Sequence, residues 1–178
     1  MRPAQHYRPA LDTARDLAEI ARIVRVAARE VTGAQGATFV LREDDSCFYA
    51  DEDAIAPLWK GQRFPLTACI SGWAMLNDDT AIVPDIDTDA RIPIEAYRTT
   101  FVRSLVMVPV GSPHPTAAIG AYWSVSRKPA ASRVAELQRL ARLAAEAVAR
   151  IGLDDAPWAP NFRHTTARDT ELASPGLE

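Results

Sequence analysis

The sequence predicts an α+β domain: a central antiparallel sheet with two long helices together on one face, and shorter helices and loops over the other. Three observations point there. Two amphipathic helical stretches stand near the ends of the pattern, at about 13–32 and 132–151. Two pairs of β-prone runs are each joined by a short turn, which makes antiparallel hairpins. Between the pairs lie only brief helical pieces and an acidic loop.

Residues 1–12 carry prolines and little pattern, and read as a flexible lead-in. From Thr13 the character changes. Thr13 offers an N-cap oxygen and Asp16 an acid in the first turn, where unpaired backbone N–H groups favour both. Leu17, Ile20, Val24, Ala27 and Val31 then share one face, and Gly33 provides a stop. ATFVLRE and SCFYADE flank the turn Glu43, Asp44, Asp45 and form the first hairpin. Residues 53–66, with two prolines, a glycine and no period, read as a loop laid across the domain and anchored by Trp59.

Residues 69–76, CISGWAML, make a short helix closed by Asn77, Asp78 and Asp79. A β-prone run at 80–84 leads into Asp85, Asp87 and Asp89. Residues 92–100 predict a second short helix with Pro93 in its first turn. SLVMVPV (104–110) and AAIGAYWSV (117–125), separated by GSPHPT, form the second hairpin. Val134, Leu137, Leu140, Ala141, Ala144, Val148 and Ile151 then make one apolar stripe on a long helix, rich in alanines that permit close approach. Residues 152–178 contain three prolines and no sustained period, and read as a mostly disordered tail.

Composition narrows the function classes. Of the 178 residues 48% are apolar, which argues against disorder throughout. A net charge of −3 gathers neither nucleic acid nor anionic lipid. Cys47 and Cys69 are too far apart for a CxxC site and too few for a disulfide framework, which fits a reduced, cytoplasmic setting. The first thirty residues are charged every few positions, unlike a signal peptide, and no apolar run approaches the roughly 20 residues of a spanning helix.

The segments CISGWAM, TAIVPDIDTDARIP, SLVMVPV and AAIGAYW, in that order and spacing, resemble the GAF domain. This is the sensory module of bacterial two-component sensors, phosphodiesterases and phytochromes. The likeness covers residues 13–151 and is greatest to the GAF domains that precede histidine-kinase cores. It implies a sheet of about six strands, a pocket beneath the short helices, and a homodimer paired through the terminal helices. A histidine kinase or other output protein would be the partner, since no kinase residues occur in the chain. Phe48, Trp59, Cys69, Trp73, Asp85, Tyr97, Arg98 and Tyr122 are the candidate pocket residues, with Arg98 as a cation for an acidic ligand. Leu137, Leu140 and Ala144 are the candidate dimer and relay contacts.

Sharper readings find less support in the residues. Some GAF-like proteins are free methionine sulfoxide reductases, whose chemistry needs a thiolate and a resolving cysteine. Cys69 sits near where that family has a cysteine, yet no others occur in 85–97, and Cys47 on its strand has no clear place as a resolver. Asp45 to Phe48 spell D-S-C-F, similar to a cyanobacteriochrome motif, but no Cys-His pair stands on a later helix to attach a bilin. No cyclic-nucleotide signature or glycine-rich phosphate cradle is seen. Asp85, Asp87 and Asp89 alternate as calcium ligands do, but Ala90 and Ala96 replace the required Gly and Glu. His6, His114 and His164 are isolated, so no metal is assigned. The expectation is a non-enzymatic sensory module for a small molecule of unassigned chemistry, with no catalytic residue. A reductase-like enzyme using Cys69, or a dimerisation module without ligand, are the alternatives.

Overall fold

The computed structural model describes residues 1–152. Six strands, β1 (Gly36–Glu43), β2 (Ser46–Ala54), β3 (Arg63–Pro65), β4 (Ala81–Val83), β5 (Ser104–Val110) and β6 (Ala117–Trp123), form one antiparallel sheet in the order β3-β2-β1-β6-β5-β4. Five helices accompany it: α1 (Arg8–Thr13), α2 (Leu17–Thr32), α3 (Ile70–Asn77), α4 (Ile94–Tyr97) and α5 (Ala131–Ile151). The long α2 and α5 lie together on one face, as the sequence predicts.

Side-chain alternation along the strands divides the interior in two. On the helical face, Phe39, Leu41, Phe48, Val106, Val108 and Ile119 meet Ile20, Val24, Leu137 and Leu140. On the other, Val40, Cys47, Tyr49, Leu105, Met107 and Tyr122 meet Trp59, Ile70, Met75 and Tyr97. Fully burying one such side chain is worth about 1.5–3 kcal/mol. The stripe of α2 and α5 is therefore a main source of stability.

Local chemistry sets the helix ends. Asp16, in extended backbone, accepts the Glu19 N–H at 2.8 Å, and the Glu19 carboxylate accepts the Arg15 N–H at 3.0 Å. The first bond satisfies one orphan donor of the helix, and the second holds the residue before the cap. Gly33 closes α2 in the left-handed region, at φ 69°. The cap is thus Asp16 and not Thr13, whose hydroxyl donates back to the carbonyls of Pro9 and Ala10.

The expected flexible lead-in is corrected as well. Residues Ala4–Tyr7 form a 3-10 turn that runs into α1, with Ala4 and Leu11 buried against α5. The Ala4 N–H donates to Glu136 at 2.6 Å, and Arg150 donates to the carbonyls of Leu11 and Ala14 at 2.9 and 2.7 Å. Two apolar residues seven positions apart show no period; the order comes from α5. The tail falls outside the described residues beyond Gly152.

The expected loop at 53–66 is in part sheet: β2 runs to Ala54 and β3 pairs with its start, Cys47 opposite Phe64. What remains is gathered by one carboxylate. Glu52 accepts the backbone N–H groups of Leu58, Trp59 and Lys60 at 3.0, 2.9 and 2.8 Å. The helix expected at 92–100 shrinks to the four residues of α4, with Pro93 as its N-cap.

Leu137, Leu140 and Ala144, expected at a dimer interface, are fully buried within this chain between α5, α2 and the sheet. The alanines of the stripe admit α2, not a second copy. Among the described residues no helix is long and apolar enough to cross a membrane.

Two outcomes follow from these contacts. Leu137→Asp buries an unpaired charge and costs about 3–5 kcal/mol; circular dichroism will show lost or sharply destabilised structure, not a folded monomer. Glu52→Ala leaves three N–H groups without their acceptor and costs about 1–3 kcal/mol. Urea titration will show the lower midpoint, with tryptophan emission shifted to the red.

Candidate functional site

The site grows from the point where α3 begins. A 3-10 turn, Leu66–Ala68, hands over to Cys69 in extended backbone, and Cys69 is the N-cap of α3. One turn on, Gly72 sits so close to Leu66 that a Cβ would lie 1.6 Å from the Leu66 carbonyl oxygen. Only glycine fits there. The contact fixes Cys69 and Ser71 over the sheet.

Cys69 Sγ lies 3.3 Å from the Ser71 hydroxyl, which in turn lies 3.2 Å from the Tyr49 hydroxyl. Cys47, two residues before Tyr49 and on the same face of β2, packs in the same buried cluster as Cys69. The hydrogen bond from Cys47 is the largest influence on Cys69 and lowers it to about 6. Ser71 and the N–H groups of Gly72 and Ser71 add to this, against the opposing effect of burial. Cys47 is pushed up, first by the same hydrogen bond and then by burial. These influences favour negative charge on Cys69 over Cys47.

Around the sulfurs stand aromatic rings in edge-to-face contact. Tyr49 meets Trp59 and Phe64 at centroid distances of 5.5 and 5.4 Å, and Trp59 meets Tyr97 and Tyr122 at 4.7 and 5.5 Å. Trp59 Nε1 donates to the Ala96 carbonyl at 3.0 Å, tying the loop to α4. Burial pushes the Tyr49 and Tyr97 phenols up, so both stay neutral donors.

Two spaces open here. Tyr49, Trp59, Phe64, Cys69, Pro93, Ala96 and Tyr97 enclose a nook of about 10 Å³, room for about one water. Beside it lies an open cleft of about 260 Å³ bounded by Thr67, Cys69, Trp73, Arg91 and Pro93. Cys69 and Pro93 belong to both. Over the cleft the Arg91 guanidinium stacks 4.4 Å from the Trp73 ring and bonds both Asp89 oxygens, at 2.9 and 2.6 Å. That pairing holds the Asp89 carboxyl below its usual range. A larger hollow of about 660 Å³ lies elsewhere, between α5 and the turn after α3, without aromatic walls or sulfur.

Of the sequence candidates, Trp59, Cys69 and Tyr97 line the nook and Trp73 lines the cleft. Tyr122 stands behind Trp59 as packing, its hydroxyl 2.8 Å from Thr38 Oγ1. Three are corrected. Phe48 points to the helical core under the Arg63 guanidinium, because alternation gives the pocket face to its neighbours Cys47 and Tyr49. Arg98 is exposed and pairs with Glu95; the cation at the cleft is Arg91. Asp85 holds a turn, accepting from the Asp87 N–H at 3.0 Å and from the Thr88 hydroxyl at 3.2 Å. Beside these candidates the structure places Tyr49, Phe64, Ser71 and Arg91, and Cys47, which the sequence left without a place. The alternation of SCFY carried a signal for Cys47 and Tyr49; nothing in sequence marked Phe64 or Arg91. No cluster of three His, Cys, Asp or Glu side chains able to hold a metal occurs among the described residues.

Comparison with curated proteins returns no match. Solved structures match well in fold at low identity. Free methionine-R-sulfoxide reductase from Neisseria meningitidis, in complex with its substrate, superposes with a TM-score of 0.71 at 18% identity, over 83% of this chain and 87% of that one. The GAF domain of an Acinetobacter phosphoenolpyruvate-protein phosphotransferase gives 0.71 at 10%, over 83% and 90%. A methyl-accepting chemotaxis protein fragment gives 0.69 at 17%, over 81% and 95%. These show the fold alone. The family model described as GAF domain matches residues 14–149, most of the chain. With the six-stranded sheet, the paired terminal helices and the short helices over the opposite face, that match shows that the chain belongs to the GAF domain family.

Proposed function

We propose that the chain is a sensory module that binds a small molecule in the cleft and passes the event to a signalling partner. One observation carries this reading: cleft and nook share Cys69 and Pro93, so an occupant of the first touches a wall of the second. At about 260 Å³ the cleft falls just below the roughly 300–1,000 Å³ of drug-sized sites, which suits a metabolite. The Trp73 face and Pro93 offer apolar contact. Arg91 keeps guanidinium donors beyond the two used on Asp89, enough to receive an anionic end. The fold neighbours include the methyl-accepting chemotaxis protein and the chromophore-binding domain of a bacteriophytochrome, which is in keeping with this reading.

Relay passes through α4, which Trp59 Nε1 ties to the Glu52-held loop. A ligand that prefers one position of this tether biases it, as differential affinity requires. Homodimer formation, a histidine kinase or similar output, and a cytoplasmic setting complete the reading. Dimer contacts would use the outward faces of the terminal helices.

A second reading, thiol-based reduction at Cys69, is favoured by the pairing of Cys69 with Cys47. Turnover of free methionine sulfoxide with a thiol donor, lost in Cys69→Ser, would establish it in place of the first.

The sensory reading is tested by thermal shift against a metabolite set that includes nucleotides, haem and bilins. A cleft ligand at about 100 times its Kd stabilises the fold by about 2.7 kcal/mol, and Trp73→Ala with Arg91→Ala removes the gain. A hit that survives both substitutions places the site elsewhere. Alkylation of Cys69 by iodoacetamide will rise with pH about a midpoint near 6, since only the thiolate reacts. Cys47→Ala removes the largest stabiliser of that thiolate, so the midpoint moves up by about 1 to 2 pH units.

A further inference from the structure

We propose that Cys69 and Cys47 form a dithiol that small hydroperoxides convert to an intrachain disulfide, a peroxide-reactive site beyond the ligand reading above. The argument rests on placement. In sequence the two cysteines are unrelated. Pairing of Cys47 with Phe64 brings the chain back across β2, and the 3-10 turn Leu66–Ala68 then sets Cys69 over the same face of the sheet. Cys47 and Cys69 share one buried cluster there, with Cys69 Sγ 3.3 Å from the Ser71 hydroxyl, and both are free.

Access differs between the two, and this assigns their roles. Cys69 borders both the open cleft and the nook and keeps 6% of its surface exposed. Cys47 is fully buried. An oxidant arriving by the cleft meets Cys69 first, while Cys47 is reached only by Cys69. The nook admits about one water, so a compact oxidant approaches the sulfur more easily than a bulky one. Ser71, with its hydroxyl 3.3 Å from Cys69 Sγ, and the N–H groups that open α3 favour negative charge on that sulfur.

The chemistry balances with a hydroperoxide, ROOH, as the named co-reactant. The Cys69 thiolate attacks the terminal peroxide oxygen; an S–O bond forms and the O–O bond breaks. The departing alkoxide takes up a proton from solvent, equal to the one Cys69 released on ionising, and leaves as ROH. Cys47 then attacks the sulfenic sulfur; the S–S bond forms, the S–O bond breaks, and the Cys47 proton leaves with the hydroxyl as water. Two thiols lose two electrons in all, and the peroxide becomes ROH and water. A cellular thiol reverses the change by exchange.

The test exposes the full chain to hydrogen peroxide or to cumene hydroperoxide, followed by non-reducing peptide mapping and thiol counting. The expected result is loss of both thiols and a Cys47–Cys69 linked peptide pair, its mass lower by about two hydrogens. Dithiothreitol restores the thiols. Oxidation by hydrogen peroxide runs about tenfold faster than that of free cysteine at neutral pH, and cumene hydroperoxide reacts more slowly. In Cys47→Ser, Cys69 instead accumulates as a sulfenic acid that dimedone traps; in Cys69→Ser, Cys47 stays reduced. Oxidation no faster than free cysteine, linkage only between chains, or reaction of Cys47 in the Cys69→Ser protein would each overturn the proposal. The mapping uses the native chain, so it stands even where a variant does not fold. A negative ligand screen leaves this result untouched.

Discussion

The contact between Gly72 and the Leu66 carbonyl is the constraint on which the site depends. Space for a hydrogen and nothing larger lets the first turn of α3 rest directly on the preceding 3-10 turn. That seating brings the start of α3, with Cys69 and Ser71, down to β2, where Cys47 and Tyr49 wait on the sheet. Move α3 outward by one methyl group and the sulfur pair, the Ser71–Tyr49 contact and the shared wall of cleft and nook separate together. Backbone is the obstacle on one side, so no rotamer change relieves it.

The second support is the Glu52 carboxylate. Three successive N–H groups converge on it, and this turns a loop of little intrinsic order into a fixed arm carrying Trp59. Trp59 then touches Tyr49, Tyr97 and Tyr122 at once and bonds α4. The site is thus built from tethers on one face of the sheet, whereas stability resides largely in the α2 and α5 packing on the other. The candidate site and the main packing core are separated by the thickness of the sheet.

The fold was legible because its signals are periodic. The β5 and β6 runs and the stripes of α2 and α5 declare their period over seven residues or more, and the structure places them within a few residues of the expected limits. Short elements were not legible for the opposite reason. Residues 4–13 and β3 have too few apolar positions to show a period, and long-range partners decide them: α5 for the first, β2 for the second. Trp59, Cys69, Trp73 and Tyr97, expected from sequence as aromatics and sulfur in the short elements, line the nook or the cleft. Phe48 lies off the expected face because strand phase in SCFY turns it to the helical core and gives the other face to Cys47 and Tyr49. The meeting of Cys47 with Cys69 depends on β3, which sequence did not show. Arg91 and Arg98 are chemically alike, and only the truncation of α4 to one turn decides which faces the cleft.

The strand order carries a consequence for synthesis. β1, near the middle of the sheet, takes one neighbour from its own hairpin but the other from β6, Gly36 opposite Tyr122 and Leu41 opposite Ala117. α2 likewise waits for α5. At roughly 5–20 residues per second on the ribosome, some 80 residues take about 4–16 s to follow. Through that interval the nascent chain holds an apolar helix stripe and an open strand edge with no native partner. The domain therefore closes in one late step, after its last helix has emerged, and the first half is the part that a chaperone must guard.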